Sequence, residues 1–207
     1  MNVLVFGAAG KTGSLIVEKA VAAGHTVTAF VRDASRYTAP SGVRVVSGNA
    51  TDRTDVFGAM SGQDAVVDAI GGKTPWRKTN LEQTVAHAIV VAAQQHNTRR
   101  IIATSAIGVG DSTKQSPLLL RLLILPTFLR GSTADKAAME QEIKRAGVPY
   151  IIIRPAVLND KPASGSAHVL AAIEKGQGLA RADLAAFIVD QLTTDSYVNQ
   201  TVTIANR

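Results

Sequence analysis

Val3-Leu4-Val5-Phe6-Gly7-Ala8-Ala9-Gly10-Lys11-Thr12-Gly13 is the stretch on which the fold turns. Four apolar residues in unbroken succession suit a strand covered on both faces, as strands of parallel sheets are. The glycines that follow are spaced for a strand-to-helix turn that holds a dinucleotide. Gly7 permits the tight turn, Gly10 lets the backbone approach a pyrophosphate, and Gly13 lets a helix pack closely on the strand. Free N–H groups at the helix start attract the anion. The competing reading is an ordinary glycine-rich turn. A P-loop is the poorer match, because Lys11-Thr12 follows Gly7 too closely and is itself followed by Gly13.

Outward from this turn, short β-branched runs alternate with longer Ala-rich segments of helical period, the mark of parallel strands joined by helical crossovers. Strands are expected at 3–6, 26–31, 43–46, 65–70, 100–104, 150–154 and 201–204, and helices at 15–23, 54–60, 81–95, 133–146 and 183–191. Right-handed crossovers then give a doubly wound parallel sheet with helices on both faces and strand order 3-2-1-4-5-6. Its ligand edge lies beyond the carboxyl ends of the strands. Residues 105–131, with Pro117, Pro126 and several glycines, show no period. No linker divides the chain, so 1–207 reads as one α/β domain of the Rossmann type.

Composition narrows the chemistry. The 207 residues contain no cysteine, which excludes disulfides, thiolate metal sites, iron–sulfur clusters and a cysteine nucleophile. The four histidines (25, 87, 96 and 168) are scattered without metal spacing, so no metal is assigned. Lys and Arg exceed Asp and Glu by 22 to 16, a net charge of +6. A basic balance raises nucleic-acid binding, but no recognition motif or dense cationic run supports it, the Arg99-Arg100 pair being expected in a solvated loop at a strand start. The aromatic share of 4% also argues against base-stacking platforms. The greasiest stretch, 117–126, holds Arg121 between two prolines and falls far short of the roughly 20 apolar residues of a membrane span. With no signal-peptide pattern at the N-terminus, the chain is expected in the cytoplasm, with neither nucleic acid nor membrane among its partners.

The end of the second strand bears on cofactor choice. Arg32 falls 19 residues after Gly13, where an NAD-specific site carries an acid for the ribose 2′-hydroxyl. A guanidinium there bonds a 2′-phosphate in bidentate fashion, so NADP(H) is expected over NAD(H). Asp33 takes the ribose role instead if the strand ends one residue later, and a solvated Arg32–Asp33 turn is the plainer alternative.

With these residues in view, the chain resembles the atypical short-chain dehydrogenase/reductases of the NmrA-like and biliverdin reductase B (flavin reductase) type. The resemblance spans nearly the whole length. It rests on the glycine turn, Phe30-Val31-Arg32-Asp33, Gly48-Asn49-Ala50-Thr51-Asp52, Ala69-Ile70-Gly71, Ile102-Ala103-Thr104-Ser105, Lys136 with Glu140, Arg154-Pro155-Ala156 and Arg181-Ala182-Asp183-Leu184-Ala185. It implies that Gly7, Ala9, Gly10, Lys11, Thr12 and Gly13 hold the pyrophosphate, that Asp52 lies near the adenine, and that Ala69, Ile70 and Gly71 line the ribose. It further implies that Thr104 and Ser105 face the nicotinamide and that Pro155, Ala156 and Val157 close over its carboxamide. Asp52 is equally placed to cap the helix that begins near Thr54.

The broader family uses a Tyr with a Lys four residues later. Here Lys136 stands in the lysine place, but the position four earlier is Ser132, whose hydroxyl is a poor proton donor near neutral pH. Neither Tyr37 nor Tyr150 replaces the missing tyrosine by position. Candidate catalytic residues are therefore Ser105 and Lys136. Ser105 either bonds a substrate oxygen or satisfies backbone at a strand end; Lys136 either holds the nicotinamide ribose or forms an exposed pair with Glu140. The expected activity is NADPH-dependent hydride transfer to a small conjugated acceptor resembling a flavin, quinone or tetrapyrrole, which needs less help with its proton than a simple ketone. The alternative is a non-catalytic NADP(H)-sensing regulator. Residues 105–131 are read as a substrate-pocket loop or lid, with a core-packing or dimer-forming helix at 116–130 as the other possibility. The protein is expected to be a monomer or homodimer.

Overall fold

In the computed structural model, which describes every residue except Lys73, the N-terminal apolar run is strand β1 (Asn2–Phe6). Successive strand side chains point to opposite faces, and β1 feeds two cores at once. Val3 and Val5 enter one, Leu4 and Phe6 the other, all four fully buried. Burying side chains of this size contributes about 1.5–3 kcal/mol each, before the entropy of ordering is subtracted.

The first face is covered by α1 (Lys11–Ala22) and α5 (Arg181–Asp190), through Ile16, Val17, Ala20, Leu184 and Ile188. The second is covered by α2 (Arg53–Met60), α3 (Leu81–His96) and α4 (Arg130–Lys144), through Val56, Met60, Val85, Ile89, Met139 and Ile143. Between the layers lie β2 (Thr26–Val31), β3 (Arg44–Ser47), β4 (Ala65–Asp68), β5 (Arg100–Thr104), β6 (Tyr150–Pro155), β8 (Ala167–Val169) and β10 (Gln200–Asn206), together with β1. Their order is β3-β2-β1-β4-β5-β6-β10-β8. The expected 3-2-1-4-5-6 succession holds, with β10 added parallel to β6 and β8 antiparallel on its outer edge. A second ribbon pairs β7 (Leu158–Asn159) with β9 (Leu179–Ala180). β7, β8 and β9 have two or three residues each, too few to show a period.

Two expectations are corrected. Residues 105–131 are not irregular throughout: 110–115 form a 3-10 turn, and 120–124 form a widened helical turn. Pro126 has no N–H to continue an α-helical ladder. The neighbouring amides reach five residues back instead, Leu125 N–H to Leu120 O and Leu129 N–H to Ile124 O, each at 2.9 Å. That shift in period hid the element, and α4 starts at Arg130, three residues before the expected Thr133. Arg100, expected in solvent, is buried. Its guanidinium donates to the carbonyls of Gln191 and Thr194 and pairs with Asp195, tying the segment after α5 to the start of β5.

Asp52 takes the capping role. Its Oδ1 accepts from the backbone N–H of Thr54 (2.8 Å) and Asp55 (3.2 Å) at the start of α2. Asp52→Ala is expected to lower the unfolding free energy by about 1 kcal/mol, whereas Asp52→Asn, which caps as well, retains nearly all of it; urea denaturation of the two variants provides the check.

Candidate functional site

Because the strands run parallel, the residues after Phe6, Asp68, Thr104 and Pro155 all emerge at one edge. A cavity of about 420 Å³ opens there. Its walls come from Thr12 at the start of α1, from Ala69, Ile70 and Gly71 after β4, and from Thr104, Ser105, Ala106 and Ile107 at the end of β5. Leu120, Leu129 and Lys136 close one side, and Pro155, Ala156, Val157 and Leu158 the other, with Arg181 and Leu184 of α5. Thr12, Ala69, Ile70, Gly71, Thr104, Ser105, Lys136, Pro155, Ala156 and Val157 were all singled out in the sequence. Leu120 and Leu129 make the 105–131 segment a pocket wall, while Leu125 of the same segment is buried in the core.

The glycine turn adjoins this cavity. Gly7 has φ +76°, and a Cβ there would lie 2.8 Å from Ala69 O. A Cβ on Gly13 would lie 2.1 Å from Gly7 O, so only hydrogen allows α1 to sit this close to β1. Among the described residues no side chain caps α1, and its first turn holds no acid. The positive end of the helix is thus left for an anion. Lys11 does not point freely into solvent: Nζ pairs with Asp160 at 2.7 Å, and Arg181 pairs with the same carboxylate. Asp160 lies just after β7 in a stretch without sequence period and no signal marked it, whereas Arg181 belongs to a motif of the resemblance, to which no role was given.

Ser105 lines the cavity at the end of β5. Its hydroxyl donates to Glu140 Oε1 at 2.7 Å. Arg154 grips the same carboxylate with two bonds, Nε to Oε1 at 2.8 Å and Nη2 to Oε2 at 2.7 Å, and reaches Asp111 with its third nitrogen. Burial raises the Glu140 pKa, but the hydrogen bonds of Arg154 and Ser105 outweigh it and hold the carboxyl below the usual range. The expected exposed Lys136–Glu140 pair does not form. Glu140 faces inward to Arg154 and takes Lys144 as its helical neighbour at 3.3 Å.

Lys136 instead faces Glu82 of α3, Nζ to Oε1 at 3.5 Å. Glu82 also accepts the Gly72 N–H at 3.0 Å. Asp135 accepts the N–H groups of Glu82 and Gln83 and so caps α3 from another helix, where Asn80, with φ 56°, supplies no side-chain cap. Burial and the hydrogen bond to Asp135 push Glu82 up in pKa, whereas Asp135, collecting those amides, falls below its usual range despite burial. Asp68, at the end of β4, is fully enclosed; burial pushes it up to about 6 against the pull of the Ile70 N–H and of Lys136.

The remaining candidates lie outside the cavity. Arg32 is exposed just beyond β2. Asp33, also exposed, caps its own turn, Oδ1 accepting from Ser35 N–H at 3.0 Å and Ser35 Oγ at 2.6 Å. Ser132 sits one turn before Lys136 with its N–H on Pro75 O, and neither it, Tyr37 nor Tyr150 lines the cavity.

Two measurements probe these buried charges. The Asp68 carboxyl is protonated in both states below the usual 3.8. As pH rises towards about 6, the unfolded chain loses this proton while the folded chain keeps it. Stability therefore falls across that window, by about 3 kcal/mol if the whole shift is expressed, and then levels off. Asp68→Asn should remove this component of the pH profile of chemical denaturation. Arg154→Met, which strands Glu140 without its partner, should cost about 3–5 kcal/mol, and Arg154→Met with Glu140→Leu should cost much less; denaturation of the single and double variants compares them.

Several known proteins share this chain's fold or sequence. The oxidoreductase YlbE from Lactococcus lactis superposes with a TM-score of 0.85 over 100% of this chain and 91% of its own, at 18% identity. The anaerobilin reductase ChuY from Escherichia coli O157:H7 gives 0.83 over 100% and 97%, at 25% identity. Among curated sequences, an uncharacterised chloroplastic protein of Arabidopsis thaliana is 29% identical over 178 residues, 80% of this chain and 62% of that protein. A 3-diazoavenalumate denitrifying reductase from Streptomyces is 51% identical over 61 residues, 30% of this chain and 19% of the reductase. The chain thus spans less than two thirds of either curated relative. The model of the NAD(P)H-binding family matches residues 7–195, which include every wall of the cavity, and the chain belongs to that family.

Proposed function

We propose that the protein is an NADPH-dependent reductase of a small conjugated acceptor, flavin-, quinone- or tetrapyrrole-like, of the atypical short-chain dehydrogenase/reductase kind. The observation that carries this reading is a mostly apolar cavity at the ligand edge of the sheet, beside an uncapped helix start that only glycines can form. The names of ChuY and of a Streptococcus pneumoniae neighbour with a suggested NADH-flavin reductase activity (TM-score 0.80, 22% identity over the full length of both chains) point to the same acceptor class.

NADPH, when bound, supplies the hydride. The chain's part is to hold and orient. In this reading the turn from Gly7 through Ala9, Gly10, Lys11 and Thr12 to Gly13 holds the pyrophosphate at the positive end of α1. Arg32 bonds the 2′-phosphate, Asp52 lies towards the adenine while capping α2, and Ala69, Ile70 and Gly71 line the ribose. Thr104 and Ser105 form the floor under the nicotinamide. Pro155, Ala156 and Val157 close its carboxamide side. Ser105, with its proton on Glu140, presents only oxygen lone pairs to the cavity, so it positions rather than protonates. Lys136, in the wall, holds the nicotinamide ribose. With serine at position 132, the acceptor takes its proton from solvent or by its own ionisation, which suits conjugated molecules.

A second reading, a cofactor-sensing regulator without turnover, is favoured by that same serine and by the committed Ser105 hydroxyl. Two outcomes are expected. NADPH should be consumed steadily with FMN or a soluble quinone, and a protein that binds NADPH but turns over none of these acceptors favours the regulator. Arg32→Ala should weaken NADPH binding by about 1.5–3 kcal/mol in a fluorescence titration and leave NADH nearly unchanged; equal loss for both would overturn the phosphate assignment.

A further inference from the structure

The widened turn that walls the cavity has a second face. Leu120 and Leu129 turn inward, but Leu118, Leu119, Leu122 and Leu123 are each more than half exposed. Spacings of four and five along this widened turn set them on one side. Phe128 extends the ridge and stands 5.6 Å, ring centroid to centroid, from Trp76, with both rings half exposed. A contiguous apolar surface of this kind is unusual on a soluble monomer and marks a contact.

The charges around it are of one sign. The segments that carry the ridge, 69–81 and 112–134, contain no Asp or Glu. Arg77, Lys78, Arg121 and Arg130 on them are exposed, and among the described residues none makes an ion pair. The backbone of Arg77 packs directly against Gly131, where a Cβ would lie 2.2 Å from it, so the cations of the 76–78 segment flank the ridge. This pattern argues against a second copy of the chain, because a two-fold contact through the patch sets these cations against their own images with no acid between them. Leucines, a tryptophan and a phenylalanine rimmed by Arg and Lys match instead the interface of an anionic bilayer.

We propose that the 118–128 ridge docks the protein on anionic phospholipid surfaces. The leucines and Phe128 enter the headgroup boundary, the flanking cations meet the lipid phosphates, and the cavity wall formed by Leu120 and Leu129 lies against the membrane. The sequence argument excluded a crossing helix, and no helix among the described residues is long and apolar enough to cross; an interfacial contact needs no such length. The proposal is independent of the identity of the acceptor.

Trp76 is the only tryptophan in the chain, so its emission reports on the patch alone. The full chain is mixed with vesicles of phosphatidylcholine, with and without phosphatidylglycerol, and assayed by flotation and fluorescence. Flotation with the anionic vesicles and a blue-shifted Trp76 emission are expected, both weakened by salt as surface charges are screened. Leu122→Ser with Leu123→Ser should reduce partitioning about tenfold or more. Both residues are exposed and outside the cavity, so NADPH binding, titrated in parallel, should be unchanged and also reports folding. The idea is overturned by failure to float with anionic vesicles or by equal binding of the double variant. It is equally overturned if the chain is a dimer that the double variant splits, which assigns the ridge to self-association. Loss of NADPH binding in the parent protein would count against the proposed function and leave this test intact.

Discussion

The bidentate bond between Glu140 and Arg154 joins four parts of the molecule. Glu140 comes from α4, Arg154 from β6, Ser105 from the end of β5, and Asp111 from the loop that leads to the cavity wall. Both central side chains are almost wholly removed from water. Such a pair stabilises little against an apolar replacement, because desolvation of the two ions offsets most of their attraction. Its effect is on position. Every donor of the guanidinium and every acceptor of the carboxylate is aimed, so the floor of the cavity at Thr104 and Ser105 is set relative to α4 and therefore to Lys136.

Lys136 stands at the boundary between that rigid floor and a more delicately balanced wall. Three acids, Asp68, Glu82 and Asp135, gather behind it; burial pushes the first two up in pKa, while the hydrogen bonds that Asp135 accepts at the start of α3 hold it below its usual range. The ammonium of Lys136 is thereby held at the wall of a cavity that is otherwise mostly apolar. Ser132, one turn earlier on α4, does not line the cavity.

Much of this was legible in the chain because it is encoded locally. Glycine spacing, the unbroken apolar strands and the helical stripes are properties of adjacent residues, and they led to the sheet order; most of the ten cavity residues singled out came from the family resemblance instead. What was illegible has a physical cause in each case. The turn at 120–124 lost its period when Pro126 forced amides to reach five residues back. β7, β8 and β9 are shorter than one repeat of any pattern. Arg100, Asp135, Asp160 and Glu140 have partners 14 to 94 residues distant, in most cases on another element, and sequence carries no sign of which distant group a long polar side chain will meet.

The sequence by itself determined that a parallel α/β sheet forms and that its first turn is shaped for a dinucleotide. These follow from local sterics and side-chain chemistry. Only the tertiary structure decided the partners: that Ser105 gives its proton to Glu140, that Lys136 turns to Glu82 rather than to Glu140, and that one turn of helix walls the cavity with Leu120 while baring Leu118, Leu119, Leu122 and Leu123 to solvent. Pairing depends on distance in space and on the cost of leaving a charge without water, and neither quantity exists until the chain has folded.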